Sequence, residues 1–424
     1  MKRFLLSLLA IVPIFIIAQT VRINGINYEL TPKKVGTATV AKDGYITTYK
    51  DMDTIIIPST IIYEDTEYKV TSVGASAFLA CTAKYIELPN TIERIATGAF
   101  RDCRMKRINI PENVIYIGRN AFDGCNNLQR VDITDLNSWL KITFDIDGSW
   151  YPERERPNPL FYAHHLYLNN EEITSLSIPS GITQVNTYAF AGLSNLEAVE
   201  FSNSITSIGV FAFHDCISLK EIVIPDNVIS IGERAFEGCT LLETITLSKG
   251  VKDLSKGLFT DCITLTEVRI PEGTKTVGYD CFKGCKNIKR AYIEDGVEEL
   301  KDGAFENCEN LEDFYCYCAN PPKAYTLDYK GKVLDYVFSG SYTNYATLHV
   351  PASALETYRS KAPWNLFGNI VPLTDEETGI YNCHNTDSTP QRYYTIEGRP
   401  VDSPKRGIYI MRASDGTSKK VLIK

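Results

Sequence analysis

One spacing constrains this chain more than any other feature: a phenylalanine returns every 22 or 23 residues. The nine copies are Phe78, Phe100, Phe122, Phe190, Phe213, Phe236, Phe259, Phe282 and Phe305. A cysteine follows eight of them three residues later, and a proline stands 11 residues before five of them. Two markers in one register define an internal repeat. Because so short a unit cannot bury its apolar face alone, the copies are expected to stack into a solenoid.

The copy SLKEIVIPDNVISIGERAFEGC, residues 218–239, shows how one unit is expected to fold. Ile222 and Ile224 alternate in a short strand, which Pro225 ends because proline has no amide hydrogen to donate. A second short extended piece follows, and a helical turn then directs Phe236 inward. We therefore predict two strands per coil, a stacked column of phenylalanines, and Cys239 as a small buried side chain before the next strand.

The pattern Ile-Pro-x-x-Val-x-x-Ile-Gly-x-x-Ala-Phe-x-x-Cys resembles the BspA-like leucine-rich repeat proteins of bacterial surfaces, of the Bacteroidetes type. The resemblance covers about residues 69–318. It implies a leucine-rich repeat solenoid, β-rich and α/β horseshoe-like, with the Leu-x-x-Ile-x-Ile strands on its concave face. It also implies adhesion to host proteins, to glycoproteins or to other bacteria.

The segments outside the repeat suggest a secreted protein with capped ends. Residues 1–18 are predicted to be a secretory signal peptide cleaved after Ala18, since Lys2 and Arg3 precede a short apolar run. Residues 19–68 are predicted to form a β-rich N-terminal cap and residues 319–373 a C-terminal cap. Residues 374–390 are expected to be a linker.

The last segment, residues 391–424, is predicted to be a small β-module of three short strands. It resembles the C-terminal sorting domains of the type IX secretion route, although it is shorter than they usually are. A plain terminal β-module is the alternative interpretation.

The repeat marker is missing over the 68 residues between Phe122 and Phe190. This stretch holds Trp139, Trp150 and the charged sequence PERERPNP. We predict a divergent insert at about 135–178, with two irregular coils and a protruding loop. Such a loop is a favoured place for function, and a plain insertion is the simpler alternative.

The twelve cysteines raise the question of disulfides, since eight of them mark the repeat. Stacked at strand spacing, about 4.8 Å, they would fall within the Cα distances of a disulfide. Their Cβ atoms would, however, point in parallel into a packed core. We therefore predict free, buried thiols.

Composition and motifs exclude several functional classes. A net charge of −8 without a basic stripe argues against nucleic acid as a partner. No His-Glu-x-x-His, Gly-x-Ser-x-Gly or P-loop motif occurs, and no later apolar run is long enough to predict a transmembrane span. We expect no catalytic, cofactor-binding or metal site and no enzymatic activity.

A binding surface is predicted on the outward side of the Leu-x-x-Ile-x-Ile strands. The position before the last strand isoleucine faces solvent in each copy, and its neighbour two residues earlier does the same. In the C-terminal half these columns hold Arg269, Arg290, Tyr292 and Tyr315. Exposed tyrosine and arginine are enriched at binding hot spots, so these four residues are the predicted ligand-binding site. An ordinary solvated strand face is the alternative.

These features together predict a secreted or cell-surface protein that binds another macromolecule and catalyses nothing. The resemblance implies partners such as host extracellular-matrix proteins, host glycoproteins or surface proteins of other bacteria. Two alternatives stay open. One is a structural cell-envelope protein without a specific ligand, and the other is a glycan-binding or enzymatic site at the insert.

Overall fold

The computed structural model describes residues 19–43, 49, 52–146, 156–324, 326–327, 333–334, 336–374, 380–382, 392–395, 399–401, 407–412 and 418–423. The predicted signal peptide, Trp150, the first half of the PERERPNP sequence and Cys383 lie outside these residues. The chain divides into two compact units, Met1–Ile173 and Thr174–Lys424. Each consists of stacked β-coils with little helix, as the repeat predicts.

Unit 1 is built on two parallel strand ladders. The first contains Thr54–Ile56, Tyr85–Glu87, Arg107–Asn109, Arg130–Ile133 and Leu166–Leu168, with Glu171–Glu172 antiparallel at its end. The second contains Thr66–Val73, Arg94–Ile95, Tyr116–Ile117 and Thr143–Phe144. Each coil gives one strand to each ladder, and the isoleucines of both ladders are buried in a shared core, as Ile86 and Ile95 show.

The N-terminal cap is shorter than predicted. It is an antiparallel meander of Gln19–Ile23, Ile26–Leu30 and Thr37–Ala41, whose last strand joins Thr66–Val73 in parallel. Thr54–Ile56 already pairs with the next coil, so the repeats begin near residue 54 and not at 69. The hairpin of Thr60–Tyr63 with Thr66–Val73 is inserted before the first phenylalanine and obscures this coil in the sequence.

The insert of unit 1 holds one complete coil and a hairpin, not the two coils predicted. Its helix Leu136–Leu140 is capped by Asp135, which accepts a hydrogen bond from the Ser138 amide at 2.9 Å. Trp139 packs inside the coil against Phe144. A second helix, Leu160–Ala163, takes the place of the repeat turn, so the marker phenylalanine is absent.

Unit 2 continues the same architecture from residue 174. Its longer strands are Ser175–Ser177, Ala198–Glu200, Glu221–Val223 and Thr244–Thr246, and then Glu267–Ile270, Arg290–Ile293, Asp313–Cys316, Thr347–Val350 and Asn369–Pro372. The shorter strands are Gln184–Val185, Ser207–Ile208, Ser230–Ile231, Asp253–Leu254, Thr276–Val277 and Glu299–Leu300. We call the outward surface of the longer strands the strand face.

The predicted C-terminal cap contains a further coil of the repeat. Phe338 continues the phenylalanine column at 6.0 Å from Phe305, and the following strand Thr347–Val350 joins the ladder. Ser341 stands where the other coils carry cysteine, and its hydroxyl donates to the Phe305 carbonyl. Residues 319–335 lengthen the spacing between Phe305 and Phe338, so the repeat period does not reveal this copy. They include the short hairpin of Thr326–Leu327 with Val333–Leu334.

Short helices then close this end of unit 2. They are the 3-10 turns Thr343–Tyr345, Ala352–Ala354 and Trp364–Leu366 and the helix Leu355–Ser360. Trp364 is fully buried and packs on Phe338, while its indole donates to the Pro322 carbonyl at 3.0 Å. A cluster of aromatic side chains therefore covers the apolar end of the core.

The tail forms a separate sheet. Its strands are Ile380–Asn382, Arg392–Tyr394, Pro400–Val401, Gly407–Arg412 and Ser418–Ile423. Four of these lie within the predicted module, where three were expected, and the first comes from the predicted linker and pairs in parallel with the last.

The phenylalanines stack inside the coils as the spacing predicts. Phe236 lies between Phe213 and Phe259, with ring centroids 5.3 and 5.5 Å away and nearly parallel planes. The turn that carries Phe236 is not helical, because Arg234 and Gly238 on either side have φ of +55° and +75°. This left-handed pair directs the phenylalanine inward and repeats in the other coils.

The repeat cysteines have a role beyond filling space. The thiol of Cys239 donates to the carbonyl of Phe213 in the preceding coil, with Sγ and O 3.4 Å apart. Cys262 and Phe236 make the same contact at 3.4 Å. The thiol is a weak donor. It adds a bond between coils to a buried carbonyl that already accepts from an amide of its own turn, as the Phe213 carbonyl does from Cys216.

These thiols are expected to be unreactive in the native protein. The structure describes eleven cysteines, all free and buried. Burial raises the pKa of Cys125 to about 12, and only the thiolate is nucleophilic. Hydrogen bonds with Cys103 and Cys316 lower the pKa of Cys81 and of Cys318, so for these two the packed core must exclude the reagent. In a Cys383→Ser variant at pH 8 we expect no reaction with Ellman's reagent in buffer and eleven equivalents in guanidinium chloride. Fewer than eleven in denaturant would mean that part of the cysteine ladder is oxidised.

Candidate binding face

The predicted site residues lie on adjacent strands of unit 2. The strand register places Arg269 beside Tyr292, Tyr292 beside Tyr315, and Tyr315 beside His349. All four side chains point outward, because the residues on either side of each are buried. The structure thus forms a single outward column from three coils of the repeat and the coil within the cap.

The four side chains stack on one another. The guanidinium carbon of Arg269 lies 4.1 Å from the centroid of the Tyr292 ring. The rings of Tyr292 and Tyr315 are 4.6 Å apart and 9° from parallel, and those of Tyr315 and His349 are 4.2 Å apart and 20° from parallel. We call this column the Arg–Tyr–Tyr–His stack.

Acidic partners hold both ends of the stack. Arg269 Nη1 lies 2.6 Å from Glu294 Oε1, and His349 Nε2 lies 2.9 Å from Asp313 Oδ1. Burial alone would lower the pKa of Arg269, but the hydrogen bond and charge of Glu294 outweigh it, so the pKa is raised. The stack is therefore fixed by cation–π, aromatic and ionic contacts at once.

Arg290, the fourth predicted residue, lies in the neighbouring outward column. Its Nε is 3.1 Å from Glu267 Oε2, one strand away, and that carboxylate raises the pKa of Arg290 by hydrogen bond and charge. Arg290 is thus beside the stack but is not a member of it. All four predicted residues lie on this face, in two columns.

Sequence reasoning missed His349 and Glu294. His349 precedes Pro351 by two residues, in the sequence Leu-His-Val-Pro, which has the form of the other repeat strands. Recognition of the coil within the cap would have placed this histidine in the column. Glu294 occupies the proline position of its copy, and nothing in the sequence indicates that it turns towards Arg269.

The stack determines what a ligand can contact. Because the rings cover each other's faces, a ligand meets ring edges and hydroxyl groups. Burial and the charge of Glu267 raise the pKa of Tyr292, so its hydroxyl stays protonated at neutral pH and can donate a hydrogen bond. The face therefore offers apolar edges with directional polar groups, the composition found at binding hot spots.

A depression on the strand face adjoins the stack. It has a volume of about 550 Å³, and the residues that line it include Thr244, Thr246, Thr266, Glu267 and Arg269. Arg269 belongs to both features. Together they make an extended surface with threonine hydroxyls at one end and aromatic side chains at the other.

The part of the chain that the structure describes contains no cluster of three or more histidine, cysteine, aspartate or glutamate side chains arranged to hold a metal ion. None of its helices has the length and apolarity needed to cross a membrane.

Stacked coils, a parallel ladder of Leu-x-x-Ile-x-Ile strands and an aromatic core column together define a leucine-rich repeat protein. The chain belongs to the family described as the BspA type leucine rich repeat region, whose model matches residues 51–145, 163–288 and 206–320 in six copies. The matched residues make up more than half of the chain. The first match begins just before Thr54–Ile56, the strand with which the ladder starts.

The chain is similar to several solved structures of bacterial leucine-rich repeat proteins, at low sequence identity. A protein from Bacteroides ovatus is 20% identical over 83% of this chain and 99% of its own, with a TM-score of 0.44. The pneumococcal vaccine antigen PcpA is 15% identical over 84% and 99%, with a TM-score of 0.44. A cell surface protein from Faecalibacterium prausnitzii is 21% identical over 70% and 94%, with a TM-score of 0.33. No curated protein matches the chain.

Proposed function

We propose that this chain is a non-enzymatic, secreted or cell-surface adhesin that binds a macromolecule through the strand face of unit 2. Membership of a leucine-rich repeat family supports a protein-binding role, because stacked repeats present extended surfaces that such proteins use for recognition. Candidate partners are extracellular-matrix proteins, glycoproteins and surface proteins of other bacteria. Export by the N-terminal segment and a sorting role for residues 391–424 belong to this proposal.

The observation that carries the proposal is the Arg–Tyr–Tyr–His stack. The same column holds Ser177, Glu200, Val223 and Thr246 in earlier coils of unit 2. Those coils form the same strands, so the fold does not require aromatic or arginine side chains at this position. Arginine, tyrosine and histidine at four consecutive positions of the column are therefore better explained by ligand recognition than by a requirement of the fold.

The rigidity of the stack also favours binding. A ligand that orders mobile side chains loses affinity, by about 0.5–1.5 kcal/mol for each long side chain that it immobilises. Arg269 and His349 are already held by Glu294 and Asp313, and the tyrosines by each other. The surface is thus organised before a partner arrives.

The test is a binding screen with the chain from Gln19 to Lys424 on arrays of extracellular-matrix proteins, mucins and bacterial surface extracts. Any ligand found is then measured against the triple variant Arg269→Ala, Tyr292→Ala, Tyr315→Ala. We expect saturable binding that the variant weakens at least tenfold, since hot-spot residues contribute about 2 kcal/mol or more each.

The matched control changes the same column in earlier coils, outside the depression, as Ser177→Ala, Glu200→Ala, Val223→Ala. It is expected to bind like the unchanged chain, and circular dichroism checks that both variants are folded. Equal affinity of the stack variant and the unchanged chain would overturn the proposed site. Absence of any ligand, together with self-association in sedimentation velocity, would favour the structural-protein alternative.

A further inference from the structure

A polar pocket lies on unit 1, on the outward side of its first strand ladder, which contains Arg107–Asn109 and Arg130–Ile133. Its volume is about 210 Å³. The polar side chains that line it are Asn90, Arg107, Asn109, Asp132, Thr134, Asn169 and Asn170. The pocket thus brings together four asparagine carboxamides and one exposed arginine.

Part of this pocket is built by the hairpin that interrupts the repeat. Leu166–Leu168 and Glu171–Glu172 pair antiparallel, so that Asn169 and Asn170 form a two-residue turn. Both have positive φ, +51° and +71°, a conformation that asparagine tolerates well. Leu166–Leu168 belongs to the first ladder, whereas the turn and the returning strand Glu171–Glu172 leave the repeat coil. The turn places two carboxamides at the edge of the pocket.

The two arginines near the pocket differ in whether an acidic side chain neutralises them. Asp132 is neutralised by Arg130, whose Nε and Nη2 lie 2.6 and 2.5 Å from Asp132 Oδ1. Arg130 also donates to Asn170 Oδ1 at 2.9 Å and covers the Tyr167 ring at 3.8 Å. Arg107 is exposed, and the residues described by the structure give it no acidic partner. The pocket therefore has one uncompensated positive charge.

We propose that this pocket binds an acidic sugar residue, such as a sialic or uronic acid at the end of a glycan. Arg107 would bind the carboxylate, because a guanidinium pairs with it through two parallel hydrogen bonds. Asn90 and Asn169 carry both donors and acceptors, which suit the hydroxyl groups of a sugar ring. Ile110 and Pro111 provide an apolar wall for its less polar side.

The size of the pocket limits the ligand. Pockets for drug-sized molecules have about 300–1,000 Å³, so 210 Å³ suits a single residue-sized group. Asn109 is already bonded to the Leu88 backbone and Asn170 to Arg130. An acidic peptide side chain would satisfy Arg107 but would leave the side chains of Asn90 and Asn169 unused. The surplus of neutral hydrogen-bonding groups therefore favours the sugar over the peptide.

This site is independent of the Arg–Tyr–Tyr–His stack, since its residues belong to unit 1 and those of the stack to unit 2. Changes at Arg107 leave the adhesin proposal untouched, and changes at Tyr292 leave the sugar proposal untouched. The failure of one is thus distinguishable from the failure of the other.

The test uses 3′-sialyllactose and methyl glucuronide, with lactose as the neutral comparison, in calorimetric or ligand-observed NMR titrations of the chain from Gln19 to Lys424. We expect at least one acidic sugar to bind and lactose to bind at least tenfold more weakly. Arg107→Ala should weaken the acidic sugar at least tenfold, and higher ionic strength should weaken it as well.

Two further variants separate recognition from folding. Arg104→Ala removes another exposed arginine of the same coil, outside the pocket, and should bind like the unchanged chain. Asn169→Gly keeps the left-handed turn, removes one carboxamide, and should weaken binding severalfold. The proposal is overturned if no acidic sugar binds, if lactose binds equally well, if Arg107→Ala has no effect, or if N-acetylaspartate amide binds as well as the sugars.

Discussion

Replacing Phe236 by alanine is expected to lower the free energy of unfolding by about 3–5 kcal/mol, the usual cost of emptying a large aromatic site in a core. Phe236 is completely buried and stacks on a phenylalanine above and another below. Its removal leaves a cavity in the middle of the column. The coil cannot close this cavity without shifting the strands on both of its sides.

The measurement is urea denaturation followed by circular dichroism, with the unchanged chain as reference. The matched control is Ile229→Ala in the same coil, because Ile229 is 67% exposed and should change stability by about 0.5 kcal/mol or less. A loss below 1 kcal/mol for Phe236→Ala would show that the column is not the main source of stability. Because repeat arrays are stabilised by neighbouring interfaces, we also expect earlier loss of structure near the changed coil.

The repeat spacing was sufficient to predict the core, because a constant period of 23 residues brings the same position of every coil into contact. The phenylalanine column, the buried cysteines and the two strands per coil all follow from that period. The outward columns follow as well, since a parallel ladder in constant register places residue i beside residue i + 23. That is why Arg269, Tyr292 and Tyr315 were predicted on one face.

The prediction was wrong where an insertion changes the period. Phe305 and Phe338 are 33 residues apart, so the period does not identify the last coil, which the sequence predicts to be a cap, and it does not place His349 in the column. A hairpin in front of Phe78 hid the first coil in the same way. Periodicity detects copies of one length, whereas the fold tolerates insertions wherever the chain can leave a coil and return to it.

The sequence does not predict which charged side chains pair with each other, and the reason is different. Arg130 pairs with Asp132 two residues away on its own strand, whereas Arg107 in the preceding coil has an asparagine at the corresponding position. Whether an arginine is neutralised depends on which acidic side chain the fold brings within reach, on its own strand as for Arg130 or from a neighbouring coil as for Arg269 and Arg290. Charge composition alone does not give this information, although it determines what each pocket can bind.

Gly232→Val is expected to lower the free energy of unfolding by about 3 kcal/mol or more. A Cβ atom on Gly232 would lie 2.3 Å from the Val210 amide nitrogen and 2.5 Å from the Gly209 carbonyl carbon. These are backbone atoms of the preceding coil, which cannot rotate away as a side chain does. Overpacking of a core costs about 1–3 kcal/mol when side chains are able to adjust, and here the ladder itself must move.

Ser255 supplies the comparison, since it occupies the equivalent position one coil later and donates to the Ile231 carbonyl. This position therefore accepts a small side chain where the neighbouring coils leave room for it. Ser255→Ala should cost about 1 kcal/mol, the value of one hydrogen bond. Gly232→Val and Ser255→Ala are compared by urea denaturation with the unchanged chain. Similar losses in both would contradict the inference that backbone contact between coils selects glycine at 232, whereas a loss at least three times larger for Gly232→Val would support it.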